Sequence, residues 1–86
     1  MVKNEYQLRK GRRLVASLLR GLREEKGIRQ MEIAQAVGQP QSFVSKYESG
    51  ERRLDLAELK VVCDSLGISL AQFVDYFEAA IESRDQ

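Results

Sequence analysis

The chain has no histidine, and its one cysteine is Cys63. A single thiol without histidine can build neither a zinc cluster nor an internal disulfide, and it lacks the base that would activate a cysteine nucleophile. The carboxylates are scattered, and no glycine-rich loop of the kind that holds phosphate is present. Cys63 falls on the apolar stripe of a predicted helix, where a small thiol is usually buried. We therefore predict that the protein is not an enzyme and has no cofactor or metal site.

Long apolar runs are also missing. No run approaches the roughly 20 residues that span a membrane, and the N-terminal segment MVKNEYQLRKGRR lacks the apolar centre of a signal peptide. We expect a cytoplasmic protein without membrane contact. The 86 residues predict a single domain, 1–86, with a modest core. That length leaves no room for a separate effector domain, so we expect no small-molecule effector.

The net charge of +1 conceals an uneven distribution. Residues 1–53 hold twelve Lys/Arg against six Asp/Glu, whereas residues 54–86 hold two against seven. A basic half attracts a polyphosphate partner, and an acidic half is better placed away from it. The alternative is a chance distribution of solvated charge.

The spacing of apolar residues predicts five helices and no strand. The expected helices are, in chain order, roughly 7–26, 30–37, 40–49, 55–66 and 69–81. Pro40 is expected at the first position of helix three, where its missing N–H costs nothing. Ser69 and Gln72 form a capping box for helix five. We expect Phe73, Val74 and Phe77 to supply that helix's part of the core, and the tail from 82 onward to fray.

Helices two and three are joined by a tight turn that contains Gly38, which is the arrangement of a helix-turn-helix. The second helix of that motif can enter a major groove about 12 Å wide. Gln can bond an adenine edge twice, Lys donates to guanine, and short hydroxyls reach either base. The outward residues of helix three have this chemistry: Gln41, Ser42, Ser45 and Lys46. Taken singly, each of them fits an ordinary solvated helix face equally well.

The segment IRQMEIAQAVGQPQSFVSKYESGERR resembles the Cro/C1-type, or XRE, family of phage and bacterial repressors. The matching residues are Gln30, the pair Ile33 and Ala34, Gly38, the pairs Gln41 and Ser42, Val44 and Ser45, Tyr47 and Glu48, and Gly50. The likeness extends over helix one and, loosely, over helices four and five. It implies an all-α, five-helix lambda-repressor-like domain, with the helix-turn-helix at about 30–49 and acidic C-terminal helices at 55–81. The implied function is a sequence-specific double-stranded DNA-binding transcriptional regulator acting as a dimeric repressor.

The resemblance also implies contacts to the DNA backbone. Gln30 would meet a phosphate at the N-terminus of helix two and could orient Gln41. Arg29 stands where the family has a Thr or Ser cap, whose loss typically costs about 1 kcal/mol. We interpret Arg29 as a phosphate ligand, the alternative being that Glu32 simply compensates. Three further residues at the end of helix three and beyond would follow the sugar-phosphate backbone: Ser49, Arg52 and Arg53.

Arg23 and Glu48 occupy positions where the family often has a buried ion pair, which would fix the angle of helix three. We predict that Tyr47 belongs to the core. For Phe43 we favour partial burial beneath helix four over contact with a thymine methyl or a sugar.

Self-association is assigned to the acidic half. The candidate residues of a homodimer seam are Tyr76, Ala80 and Ile81, which could equally complete the core. An alternative function of a different class is a protein-binding adaptor or antitoxin whose C-terminal helix embraces a partner protein.

Overall fold

The computed structural model describes the backbone of residues 2–84 and the side chains of residues 4–83. Over this range the chain forms five α-helices and no strand. They are α1 (Val2–Glu25), α2 (Gln30–Val37), α3 (Gln41–Ser49), α4 (Leu56–Ser65) and α5 (Leu70–Arg84). The predicted all-α, five-helix fold is confirmed.

Three of the predicted helix boundaries are wrong. α1 begins at Val2 instead of residue 7, because the polar sequence before residue 7 continues the helix without a breaker. Pro40 is the residue before α3 and not its first residue, since its ψ of 157° is extended. α5 continues to Arg84, beyond the expected end at 81.

Every helix contributes to one hydrophobic core. Leu19, Ile33, Val44, Val62 and Phe73, one from each helix in order, are almost completely buried. Burying a side chain of this size stabilises a fold by about 1.5–3 kcal/mol. The small domain is therefore held by a core that crosses all five helices.

Two predictions about buried side chains are confirmed, and one is wrong. Tyr47 and Cys63 lie in the core, and burial raises the pKa of both groups, so the Cys63 thiol stays protonated and unreactive near neutral pH. Val74 is exposed and does not belong to the core. Phe73 points inward on α5, and the next residue along a helix faces about 100° away.

The turn between α2 and α3 depends on Gly38, which adopts the left-handed conformation with φ of 70°. Its N–H donates to the carbonyl of Gln35, and the N–H of Gln39 donates to that of Ala34. These bonds satisfy the last carbonyls of α2, so the chain can turn sharply into α3. A side chain at this position would be strained, whatever the space around it.

Within the described residues, two further features are absent. No helix is long and apolar enough to cross a membrane. No cluster of carboxylates or thiols could hold a metal ion.

Candidate nucleic-acid interface

The third helix has one buried face and one polar exposed face. Phe43, Val44, Tyr47 and Glu48 face the protein. The predicted base-reading residues all lie on the opposite, exposed side: Gln41, Ser42, Ser45 and Lys46. Two of the four side chains, those of Ser42 and Ser45, are short, so bases could approach the helix backbone closely there. We call these four residues the reading face.

The orientation of α3 is fixed by an ion pair to α1. Arg23 Nε donates to Glu48 Oε2 at 2.7 Å, and Arg23 Nη2 donates to Glu48 Oε1 at 3.0 Å. The side chains are only 12% and 3% exposed. Arg23 Nη1 also donates to the carbonyl of Ile28 at 2.8 Å, so the same guanidinium holds the turn before α2. The hydrogen bond to Glu48 raises the pKa of Arg23, which keeps its guanidinium charged.

Gln30 connects this ion pair to the reading face. Its Nε2 donates to Glu48 Oε1 at 3.0 Å, and its Oε1 accepts from Gln41 Nε2 at 3.4 Å. An ionised carboxylate only accepts, so the amide nitrogen of Gln30 must face Glu48 and its oxygen must face Gln41. The buried pair therefore determines which end of the Gln41 amide is left for a ligand.

Arg29 lies at the N-terminus of α2 with its side chain in solvent. Its own backbone N–H donates to Glu32 Oε1 at 2.9 Å, and its Nε lies 3.4 Å from the same oxygen. Glu32 thus replaces part of the missing cap, and these bonds lower its pKa. This geometry favours compensation by Glu32 as the reason Arg29 is tolerated, while a phosphate contact by Arg29 stays a prediction.

Arg52 is engaged within the protein. Its Nη2 and Nη1 donate to the two carboxylate oxygens of Glu58 at 2.7 and 3.2 Å, and its guanidinium carbon lies 4.6 Å from the centre of the Phe43 ring. The hydrogen bond between Arg52 and Glu58 raises the pKa of Arg52 and lowers that of Glu58. A phosphate would have to compete with Glu58 for this arginine, whereas Arg53 makes no side-chain bond within the described residues.

Glu58 was not singled out from the sequence. It lies at the third position of α4, where its N–H donates to Asp55 Oδ1 at 2.7 Å and its Oε1 accepts from the Asp55 N–H at 2.9 Å. The spacing of Asp55 and Glu58 is a capping-box signal that could have located it. The contact with Arg52 carries no comparable sequence signal.

Phe43 is buried in the core beside residues of α4, as predicted. Its ring meets that of Tyr47 edge to face, with centroids 5.5 Å apart. Because Arg52 lies over the ring and the side chain is buried, Phe43 supports the loop and is not presented to a base.

Ser49 ends the exposed side of α3. Its hydroxyl lies 3.0 Å from the carbonyl of Lys46 and 3.1 Å from Glu51 Oε2. The residue remains exposed, so a phosphate contact by Ser49 stays a prediction.

The proposed seam residues on α5 are placed as follows. Tyr76 is 44% exposed, while Ala80 and Ile81 are half-buried. Together with the exposed Val74, they leave apolar surface on the outside of α5.

Comparison with known proteins places this architecture in a family. Residues 19–73 match the family model described as helix-turn-helix. A solved XRE-family like protein from Pseudomonas syringae pv. tomato str. DC3000 is 37% identical, with a TM-score of 0.78 over 92% of this chain and 94% of that chain. This chain belongs to the XRE family of helix-turn-helix regulators. The family predicted from the sequence is confirmed.

Two other solved structures share the fold at lower identity. The clp gene regulator ClgR from Corynebacterium glutamicum is 25% identical, with a TM-score of 0.78 over 87% of this chain and 80% of that chain. The restriction-modification controller protein C.Esp1396I, solved as a tetramer with its natural 35 base-pair operator, is 23% identical. Its TM-score is 0.72 over 77% of this chain and 87% of that chain. No curated protein sequence is significantly similar to this chain.

Proposed function

We propose that this XRE-family regulator represses transcription as a dimer that reads a two-fold symmetric operator through α3. The observation that carries the proposal is the reading face, an exposed set of amide, hydroxyl and amine groups on a helix whose other side is locked by Arg23 and Glu48. A face built for solvent alone has no need of such an anchor. A face that must match base edges needs its angle fixed before it meets DNA.

The side chains of the reading face would bind different base edges. Gln41, held by Gln30, is placed to make two hydrogen bonds to an adenine. Lys46 would donate to guanine, and Ser42 and Ser45 would accept or donate at either base. Two of the four residues, Gln41 and Ser42, lie within the first turn of α3, the part of a recognition helix that meets the bases.

Contacts to the backbone flank this face. The free N–H groups at the start of α2 suit a phosphate, with Gln30 and Arg29 beside them. At the other end of α3, Ser49 and Arg53 would hold the sugar-phosphate chain, and Arg52 would do so only by giving up Glu58. These contacts position the protein without reading sequence.

A dimer would give the specificity that one short helix lacks. Two copies of α3 about 34–36 Å apart would enter successive major grooves on one side of the duplex. The controller protein C.Esp1396I, which shares the fold, forms a tetramer on its operator. The apolar surface on α5 supports an isologous seam at Tyr76, Ala80 and Ile81.

Selection of bound duplexes from a random-sequence library tests the DNA-binding function. We expect enriched sequences with two related half-sites in inverted order, bound with an affinity that falls as salt rises. If the protein retains no duplex even at low salt, the DNA-binding function is refuted and a protein-binding adaptor or antitoxin becomes the better hypothesis.

Sedimentation tests the seam. The double variant Ile81→Asp with Tyr76→Lys should be a monomer that keeps its helical circular dichroism and binds the selected operator much more weakly. Leu56→Asp is the control for the charge introduced at Ile81, because it places an aspartate on an exposed apolar residue of α4. A dimer that survives the double variant but dissociates in Leu56→Asp would move the seam to α4.

A further inference from the structure

Four arginines line one groove between α1 and the loop that follows α3. The groove encloses about 540 Å³, and the C-terminal end of α3 forms part of its wall. We call it the basic groove. Its arginines are Arg9, Arg12 and Arg13 from α1 and Arg53 from the loop.

The basic groove contains all the arginines of residues 4–83 that form no ion pair with another described residue. Outside it, Arg20, Arg23, Arg29 and Arg52 each form an ion pair with a glutamate. The four arginines of the groove make no side-chain hydrogen bond or ion pair within residues 4–83. Residues 6–23 contain no Asp or Glu, so the three arginines of α1 have no acid next to them in the sequence. The groove therefore leaves four exposed guanidinium groups directed at solvent in one place.

Two glutamates also line the groove, and they do not balance it. Glu51 accepts a hydrogen bond from the Ser49 hydroxyl at 3.1 Å, and Glu5 lies in the first turn of α1. Four guanidinium groups against two carboxylates leave an excess of two positive charges. A planar guanidinium matches the oxygens of a phosphate better than any other side chain does.

The groove is continuous with the interface proposed for DNA. Ser49 and Arg53 belong to both, because they lie where α3 ends and the chain leaves the reading face. A duplex that received α3 in its major groove would bring its backbone to these residues first. The arginines of α1, on the facing wall of the groove, would be the next residues to meet that backbone.

We propose that the basic groove binds the sugar-phosphate backbone of the duplex that α3 enters, so that α1 extends the DNA interface beyond the helix-turn-helix. The inference rests on the proposed function, since it needs α3 in the major groove. It adds Arg9, Arg12 and Arg13 to the contacts and assigns them affinity and not sequence preference.

The test compares salt titrations of the parent and the double variant Arg9→Ala with Arg12→Ala, using a random-sequence duplex and a duplex recovered from library selection. We expect the slope of log K against log salt to become shallower by about 0.9 for each phosphate that the variant no longer neutralises, equally on both duplexes. The matched control is Arg20→Ala with Lys60→Ala, which removes the same charge outside the groove and should leave the slope near that of the parent.

A variant that removes a negative charge from the groove separates an electrostatic effect from damage to the fold. Glu51→Gln keeps an acceptor for Ser49 but removes a negative charge from the groove, so it should strengthen binding several-fold at low salt. A misfolded protein would not gain affinity. No gain in this variant would contradict the proposal.

The remaining outcomes distinguish the two hypotheses. If the parent binds duplex and depends on Gln41 but the double variant keeps the parent slope, the basic groove proposal fails and the regulatory function stands. If the double variant keeps that slope but no longer self-associates in sedimentation, the groove receives a second copy of the chain instead. A parent that binds no duplex overturns both.

Discussion

Two bidentate arginine–glutamate pairs lie near the C-terminal end of α3, and they differ in burial. Arg23 and Glu48, between α1 and α3, are 12% and 3% exposed. Arg52 and Glu58, between the loop and α4, are 39% and 30% exposed. Both pairs have a shortest N···O distance of 2.7 Å, so this distance does not tell them apart.

Because the two pairs differ in burial, they should contribute differently to stability. Water screens the charges of the exposed pair and can hydrate either partner alone. Losing this pair should therefore lower the free energy of unfolding only modestly. Removing one partner of the buried pair leaves a charge without water or counter-charge, which is far more costly. The first pair joins α1 to α3, and the second joins the following loop to α4.

The largest expected effect is on the buried pair. Arg23→Ala or Glu48→Ala should each lower the free energy of unfolding by about 3–5 kcal/mol, because the other charge stays buried. Replacing both, as Arg23→Met with Glu48→Leu, should cost far less. Urea unfolding measures each change, and Arg20→Ala, which breaks an exposed pair on the same helix, is the control. A decrease below about 1 kcal/mol in the single variants would mean that water reaches the pair.

A smaller effect is expected at the bridge between this pair and the reading face. Gln30→Ala removes one hydrogen bond to Glu48, so it should lower stability by about 1.5 kcal/mol and weaken binding to every duplex. Gln35→Ala is the control, being an exposed glutamine of the same helix without a side-chain bond in the described chain. If the two variants have the same stability and the same affinity for DNA, Gln30 does not couple Glu48 to the reading face.

The neighbouring arginines Arg52 and Arg53 should differ in the salt dependence of binding. Arg53→Ala is expected to reduce the slope by about 0.9, the value for one phosphate that is no longer neutralised. Arg52→Ala should reduce it less, because Glu58 already holds that guanidinium. Equal slopes in filter binding would indicate that Arg52 exchanges Glu58 for a phosphate on the DNA.

The smallest effect is the pH dependence of the half-exposed pair. Arg52 lowers the pKa of Glu58 below its ordinary value of 4.5, so the folded protein binds this proton less readily than the unfolded chain. The stabilisation is present above that ordinary pKa and is lost as pH falls through the lowered one. The difference in unfolding free energy between the parent and Glu58→Gln should therefore shrink from about pH 6 to about pH 3. A constant difference would show that the pair does not couple to folding.

The sequence predicted much of this arrangement, because helical periodicity and capping residues act locally. The turn at Gly38, the capping box of Ser69 and Gln72, and the burial of Tyr47 all follow from the nearest residues. The exposure of Val74 escaped prediction because a helix with apolar residues on several sides does not reveal which side meets the core.

Contacts between distant elements were harder to predict. The pairing of Arg52 with Glu58 depends on how the loop folds against α4, and no periodicity encodes it. The gathering of Arg9, Arg12 and Arg13 beside Arg53 likewise depends on how α1 passes the end of α3. The residues were visible as a basic half of the chain, but their common groove was not.

The central claim is that α3, held by the buried pair, reads DNA sequence through Gln41. The most direct measurement is the affinity of the parent and of Gln41→Ala for a library-selected duplex and for a scrambled duplex of the same composition. We expect Gln41→Ala to weaken binding by about 1–3 kcal/mol on the selected duplex and not at all on the scrambled one. If the variant binds both duplexes as the parent does, or is weakened equally on both, Gln41 does not read bases and the account of the reading face is wrong.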